Sequence, residues 1–177
     1  MAAFREILAV TSGVKRTIVL SEGTDPRVAE AAVVASVSDL AKIICVGDMG
    51  AVGAALSAAG VADDIMIEDP TSSLRMAGYV ETYVHKRATK GMTPDKAFAE
   101  LSQPNFFAAA MVAAGDADGT IGGAVYPTPD IIRAALKVIG TAPNTKLLSS
   151  FFFMLFEDRP DLPSQLNIFA DCGLVID

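Results

Sequence analysis

An α/β fold, built on a largely parallel sheet and covered by helices on both faces in three layers, is predicted by three features of the sequence. Short apolar, β-branched runs at 17–20, 42–46 and 65–67 alternate with Ala/Val-rich stretches of helical character. The runs are continuously apolar where they are strand-like, as strands buried on both faces require. Turn and cap residues such as Asp25-Pro26, Gly60, Gly91 and Thr93-Pro94 punctuate the junctions.

Taken in order, residues 2–13 place Phe4, Ile7, Leu8 and Val10 on one helical face, with Gly13 as a stop. Thr17–Leu20 is the first strand, closed by the turn Ser21-Glu-Gly-Thr-Asp25. Asp25 then caps a helix that starts at Pro26 and runs to about Val37, its small side chains suited to lying close on a sheet. A second strand is expected over Lys42–Val46 and a helix over Met49–Ala59, ended by Gly60. A third strand, Ile65–Ile67, precedes an amphipathic helix over 71–89 with Leu74, Met76, Ala77, Val80 and Val84 inward and Gly91 as terminator. Another helix starts at Thr93-Pro94. The stretch 105–114 is apolar nearly all round, hence a buried helix. After the segment 115–133 and its helix, Gly140–Asn144 reads as a turn and 146–156 as a long strand. Residues 157–164 form a loop and Gln165–Ala170 one more strand, close enough in sequence for an antiparallel hairpin. The final run Leu174-Val-Ile-Asp177 is strand-like and cut short, which reads as a partial protein.

Length and composition exclude several classes. A chain of 177 residues, 51% hydrophobic and without tryptophan, is a packed globular protein. A formal net charge of −7 disfavours general nucleic-acid or anionic-membrane binding, so any anionic ligand has to be held by a local arrangement. No apolar run approaches the roughly 18 residues of a membrane span, and Arg5, Glu6 and Lys15 interrupt any signal-peptide pattern, so a cytoplasmic location is expected. Cys45 and Cys172 lack CxxC or Cys/His spacing and read as small apolar residues, with no metal site. Gly47, Gly50 and Gly53 have the spacing GxxGxxG and not the dinucleotide-binding GxGxxG, although Glu68 lies near the place of the acidic residue; there is no GK[ST]. His85, the single histidine, sits among charged residues and reads as a surface residue.

The stretch Gly115–Arg133 concentrates the functional signal. It reads as a short strand with little side-chain bulk, a turn, and a helix start in which Thr128 caps and Pro129 takes the first helical position. Free backbone N–H groups there, with Gly122 and Gly123 clearing the approach, make a candidate anion site, and Arg133 follows one turn into the helix. In parallel sheets the ligand crevice lies beyond the carboxyl ends of the strands. The turns at 21–25 and 126–128 both fall at that edge and can face one cleft. Arg87, on a charged helix face, reads either as solvated or as an anion ligand. Glu22 and Arg27 read as a structural pair beside the first turn, and Ser149 and Ser150, within an apolar run, as strand-internal hydrogen-bonding groups.

Several segments together resemble the phosphate acetyltransferase (phosphotransacetylase) and phosphate butyryltransferase family. They are Glu22-Gly-Thr-Asp-Pro-Arg27, Tyr83-Val-His-Lys-Arg87, Met111-Val-Ala-Ala-Gly-Asp-Ala-Asp-Gly-Thr-Ile-Gly-Gly-Ala-Val125, Thr128 with Ile132-Arg-Ala-Ala-Leu136, Ser149-Ser150 with Met154, and Phe169-Ala-Asp-Cys172. The resemblance implies an isopropylmalate-dehydrogenase-like fold of two α/β domains, the first over 1–145 and a truncated second over 146–177. It implies reversible acetyl transfer between acetyl phosphate and coenzyme A, the latter as substrate, with no permanently bound cofactor and a homodimeric assembly. Phosphate butyryltransferase and a non-catalytic acetyl-CoA-binding regulatory domain are the alternatives. The same resemblance assigns substrate binding to Arg133, Thr128 and Arg87, with Tyr126, Ser149 and Ser150 beside them. It puts the catalytic base beyond Asp177. Tyr126-Pro127 stands where the family usually carries a small polar residue and a serine, so one expected donor is missing, and either Tyr126 replaces it or the acyl/phosphate site differs.

Overall fold

The computed structural model describes residues 14–60, 64–145, 148–156 and 165–170. The expected helix over 2–13, the loop 157–164, Cys172 and the last strand-like run lie outside the described residues. The chain divides into two compact units. One is Lys15–Gly140, and the other includes the described residues from 141 onward.

In the first unit four parallel strands, β1 (Thr17–Leu20), β2 (Lys42–Val46), β3 (Met66–Glu68) and β4 (Gly119–Ile121), stand in the order β3-β2-β1-β4. Strand order therefore reverses at β1, with β2 on one side and β4 on the other. The period-two alternation of a strand sorts the core. Val19, Ile44 and Val46 face one way, while Leu20, Ile43 and Cys45 face the other. Helices α1 (Pro26–Val37) and α2 (Met49–Ala59) cover the Leu20 face with Ala29, Ala32, Val52 and Leu56. The Val19 face is covered by α3 (Met76–Lys86), α4 (Pro94–Leu101), α5 (Pro104–Ala114) and α6 (Thr128–Ala134), α6 running on into a π-helical turn, Ala135–Ile139. The three layers are those expected. Burial raises the Cys45 thiol to about 11, consistent with an apolar role for this residue. Among the described residues no helix is long and apolar enough to cross a membrane.

Asp25 caps α1 as read. Asp25 accepts from Arg27 N, Asp48 from Ala51 N, and Thr93 from Lys96 N. The helix α5 is buried from Asn105 to Met111 and ends at Gly115, whose φ of 82° is left-handed.

Several boundaries differ from expectation, β3 among them, which lies at Met66–Glu68 and not 65–67. The helix expected over 71–89 is confined to 76–86, because the Asp69 carboxylate captures the Thr71 N–H (2.8 Å) and hydroxyl (2.7 Å) in a turn that competes with the first helical bonds. At the other end Ala88–Lys90 tighten into a 3-10 turn closed by Gly91. Thr128 is not the cap of α6. Pro127 precedes the helix, Thr128 is its first residue, and no side chain caps it.

In the second unit, β5 (Phe151–Phe156) and β6 (Gln165–Ala170) form the antiparallel hairpin, with Phe151 opposite Ala170 and Phe156 opposite Gln165. The strand starts at Phe151 and not at 146, so Ser149 and Ser150 lie before it.

Gly23, in the turn after β1, has no room for a side chain. A Cβ there would stand 2.9 Å from Cys45 Cβ and 3.1 Å from Val46 O, the second of which cannot swing away. Gly23→Ala is expected to cost about 1–3 kcal/mol of stability. Urea unfolding checks this, and an unchanged midpoint contradicts the close approach.

Candidate functional site

The carboxyl ends of β1 and β4, where the strand order reverses, bring two turns together. After β1 the chain splits its bonding: Ser21 N donates to Ile121 O on β4 (3.1 Å) and Gly23 N to Val46 O on β2 (3.0 Å). Between them Glu22 is buried, with 5% of its surface exposed. Its carboxylate meets the loop that leads from β4 to α6. One oxygen accepts from Gly123 N (2.9 Å) and Ala124 N (2.8 Å), the other from Val125 N (2.9 Å) and Tyr126 N (2.7 Å). Burial pushes the Glu22 carboxyl up, but the four backbone N–H bonds outweigh it and its pKa lies below the ordinary 4.5.

Arg27 completes the attachment from the first turn of α1. It forks onto Asp25 (2.9 and 2.8 Å) and donates to Ala124 O (2.7 Å). The bond from Arg27 holds the Asp25 carboxyl down at about 2. Glu22 and Arg27 are thus not a mutual pair as expected from sequence. Each grips the 123–126 loop, one through its donors and the other through a carbonyl.

The N–H groups expected to receive an anion were those of the first turn of α6; the structure instead gathers the N–H groups of the preceding loop, 123–126, and an internal carboxylate already holds them. A Cβ on Gly122 would lie 2.4 Å from Ser21 Oγ and 3.0 Å from Ile131 Cδ1, so a side chain there requires both neighbours to turn away. The Ser21 hydroxyl, 2% exposed, has no hydrogen-bond partner. On the α1 side of this junction a cavity of about 230 Å³ is lined by Leu20, Val28, Ala31 and Ile121, with Glu22 and Arg27 also contributing.

The residues singled out from sequence fall around this junction and beyond it. Arg133 is exposed on α6 and ion-paired with Asp130 one turn earlier. Thr128 is exposed and Tyr126 half-buried. Burial, with the charges of Glu22 and Asp130, pushes the Tyr126 phenol up, so it remains a neutral O–H donor at neutral pH. Arg87 follows α3, its backbone N–H bonded to Tyr83 O and Val84 O, its Nε buried without a partner. Beside it Glu100 accepts from the Tyr83 hydroxyl (2.5 Å) and Lys137 Nζ (2.6 Å). Among the described residues no hydrogen bond or ion pair joins Arg87 to Arg133. Ser149 and Ser150 belong to the second unit, and neither is inside a strand; the Ser150 hydroxyl is buried with no hydrogen-bond partner. His85 is exposed, as expected. Glu68, on which a dinucleotide reading turns, is engaged by Ser73 Oγ (2.7 Å) and Arg75 Nε (3.2 Å).

Sequence reasoning missed two residues. Glu22 was read as half of a local pair; its adjacency to 123–126 arises only once β4 is placed beside β1. Lys86 has no assigned role in the sequence, yet its Nζ donates to Val138 O and Ile139 O (2.6 Å each), satisfying the last carbonyls of the π-helical turn.

Comparisons with known proteins agree with the architecture. The sequence profile of the phosphate acetyl/butaryl transferase family matches residues 3–177. The phosphate acetyltransferase of Acetivibrio thermocellus is 36% identical over 177 residues, which cover 99% of this chain and 52% of that protein. That of Paracoccus denitrificans is 43% identical over 162 residues, 91% of this chain and 47% of the relative. Among solved structures, a phosphotransacetylase from Streptococcus pyogenes superposes with a TM-score of 0.88 and the EutD phosphotransacetylase from Staphylococcus aureus with 0.85. Both are 30% identical, with 99% of this chain and 52% of theirs covered. The chain spans about half the length of these relatives.

Because folding favours the ionised Glu22, its contribution to stability is complete above about pH 4.5 and is lost as pH falls through the lower folded-state pKa. Glu22→Gln keeps one acceptor oxygen and turns an amide donor toward N–H donors, so at pH 7 it is expected to cost about 2–3 kcal/mol. Chemical denaturation from pH 7 down to pH 3 should show the gap to the wild type closing below 4.5. A gap constant with pH contradicts the charge as its source.

Proposed function

The chain belongs to the phosphate acetyl/butyryl transferase family, and from that premise we propose that it supplies one half of a phosphate acetyltransferase. The reaction is reversible acetyl transfer between acetyl phosphate and coenzyme A. The thiol of coenzyme A, as thiolate, attacks the acetyl carbonyl carbon, the carbon–oxygen bond to phosphate breaks, and inorganic phosphate leaves with the bonding electrons. Negative charge gathers on the carbonyl oxygen and on the departing phosphate, where fixed cationic donors lower the barrier. The observation that carries the reading is the match over residues 3–177, together with curated phosphate acetyltransferases 36% and 43% identical to this chain.

In this reading Arg133 binds phosphate, since it is exposed on the helix that follows the β4 loop and its guanidinium fork fits phosphate oxygens. Thr128 and the neutral Tyr126 phenol supply donors near the same helix start. Arg87 binds an anionic group of coenzyme A through a guanidinium whose Nε has no partner in the fold. Ser149 and Ser150 enter this reading through the family resemblance alone. The base that takes the thiol proton is assigned to no residue of this chain, which spans about half of its relatives' length. Coenzyme A is a substrate, no cofactor is permanently bound, and the complete enzyme works as a homodimer in the cytoplasm.

One observation favours a second reading, a non-catalytic acetyl-CoA-binding domain: Pro127 at the start of α6 offers neither hydroxyl nor N–H.

Acetyl-CoA formation from acetyl phosphate and coenzyme A, assayed with the complete protein, separates the two. Turnover is expected, greater with acetyl than with butyryl phosphate. Retained coenzyme A binding without turnover supports the second reading. Arg133→Ala is expected to lower kcat/KM for acetyl phosphate by about 100-fold, a loss on the order of 3 kcal/mol, with little change in unfolding midpoint. Unaltered kinetics remove Arg133 from the site.

A further inference from the structure

Four consecutive backbone N–H groups converging on one point form the kind of nest in which proteins hold phosphate. Here that point is filled by a side chain of the chain itself. We propose that Glu22 is the resident anion of the 123–126 nest and a positioning residue for the acyl phosphate site. It fixes the loop from which α6 starts, and it closes these four donors to substrate, so that phosphate is met by arginine side chains and not by backbone. The part of this inference that concerns substrate rests on the acyltransferase reading; the occupancy of the nest does not.

The donor and acceptor count supports it. An ionised carboxylate has about four lone-pair sites on two oxygens, and each Glu22 oxygen accepts two loop N–H groups at 2.7–2.9 Å. The carboxylate is saturated, which leaves it no acceptor for a substrate proton. Burial points the same way. Gly123, Ala124 and Val125 are exposed residues, yet their N–H groups turn inward to a carboxylate on a residue only 5% exposed. Arg27, five residues on in the same motif, takes the outward carbonyl of Ala124 at 2.7 Å. The loop is thus held by its donors and by an acceptor at once.

From the nest the constraint passes along the chain to Arg133. Tyr126 N is bonded to Glu22, and the next residue is Pro127, with φ at −67°. Pro127 O accepts from Asp130 N at 2.9 Å, and the Asp130 carboxylate pairs with Arg133. The Asn105 amide donates to Asp130 O from α5 (3.4 Å). Nothing in this path needs Glu22 to touch substrate.

Amide resonances of the ¹⁵N-labelled 177-residue chain, followed during titration with inorganic phosphate, test the occupancy directly. In the wild type the four amides of residues 123–126 are expected to stay in place. In Glu22→Ala, which empties the nest, all four are expected to shift together and saturate. Movement of these amides in the wild type overturns the inference, and so does their indifference in a folded Glu22→Ala. Should Glu22→Ala fail to fold, Glu22→Gln replaces it: hydrogen exchange at these amides is expected to speed up at least about tenfold, and unchanged exchange overturns the inference. For the positioning role, Glu22→Gln in the complete protein is expected to raise the KM for acetyl phosphate about tenfold through misplacement of donors, with Glu22→Asp recovering most of it. Equal KM in both variants and the wild type overturns that role. Absence of turnover in the wild type itself would remove the acyltransferase reading and the positioning role together, while the phosphate titration still decides who occupies the nest.

Discussion

One buried carboxylate holds the functional end of this molecule together. Glu22 accepts four backbone N–H groups from a loop about a hundred residues away in sequence, and in doing so ties the end of β1 to the start of α6. Burying an unpaired carboxylate is costly, and four orphaned amides would be costly as well. Each set of groups removes the other's penalty. The neighbouring choices follow from this contact. Gly122 is bare because the strands approach so closely there that a Cβ would strike Ser21. Gly23 is bare because the turn that carries Glu22 lies against Cys45 and Val46. Arg27 is directed to Ala124 O by its fork on Asp25.

The location follows from strand order. With β1 between β2 and β4, the turns leaving β1 and β4 meet at the carboxyl edge where strand order reverses, the usual place for ligands in such sheets. A protein with a net charge of −7 has to gather anion-binding groups locally. The backbone donors at this edge are already engaged by Glu22, which in the proposed function leaves that task to side chains.

The parts of the fold legible in the sequence were those written in local code. Asp25-Pro26, Thr93-Pro94 and the glycines after α2 and α5 mark helix ends because the capping bond is made within a few residues. Strands β1 and β2 were legible from their β-branched, apolar runs. What was not legible depended on contacts distant in sequence or on competing local bonds. The Asp69 turn that shortens α3 is local, but it resembles a helical start in composition. Thr128 has the residue type of a cap, yet the N–H groups just before it were already taken by Glu22, and Pro127 set the helix start. That Gly115–Arg133 holds an anion cradle was readable, but at the first turn of α6 and not in the 123–126 loop where it lies. The identity of its anion was not, because no pattern in that segment points to residue 22.

The central claim is that an ionised Glu22, and not a neutral one, is the partner of the 123–126 loop. Its side-chain carboxyl pKa, measured by ¹³C NMR in the folded chain, is the most direct test. The account predicts a value below the ordinary 4.5, with the Gly123–Tyr126 amide shifts titrating at the same pH. A carboxyl that titrates at or above 4.5, with those amides unmoved, would contradict it.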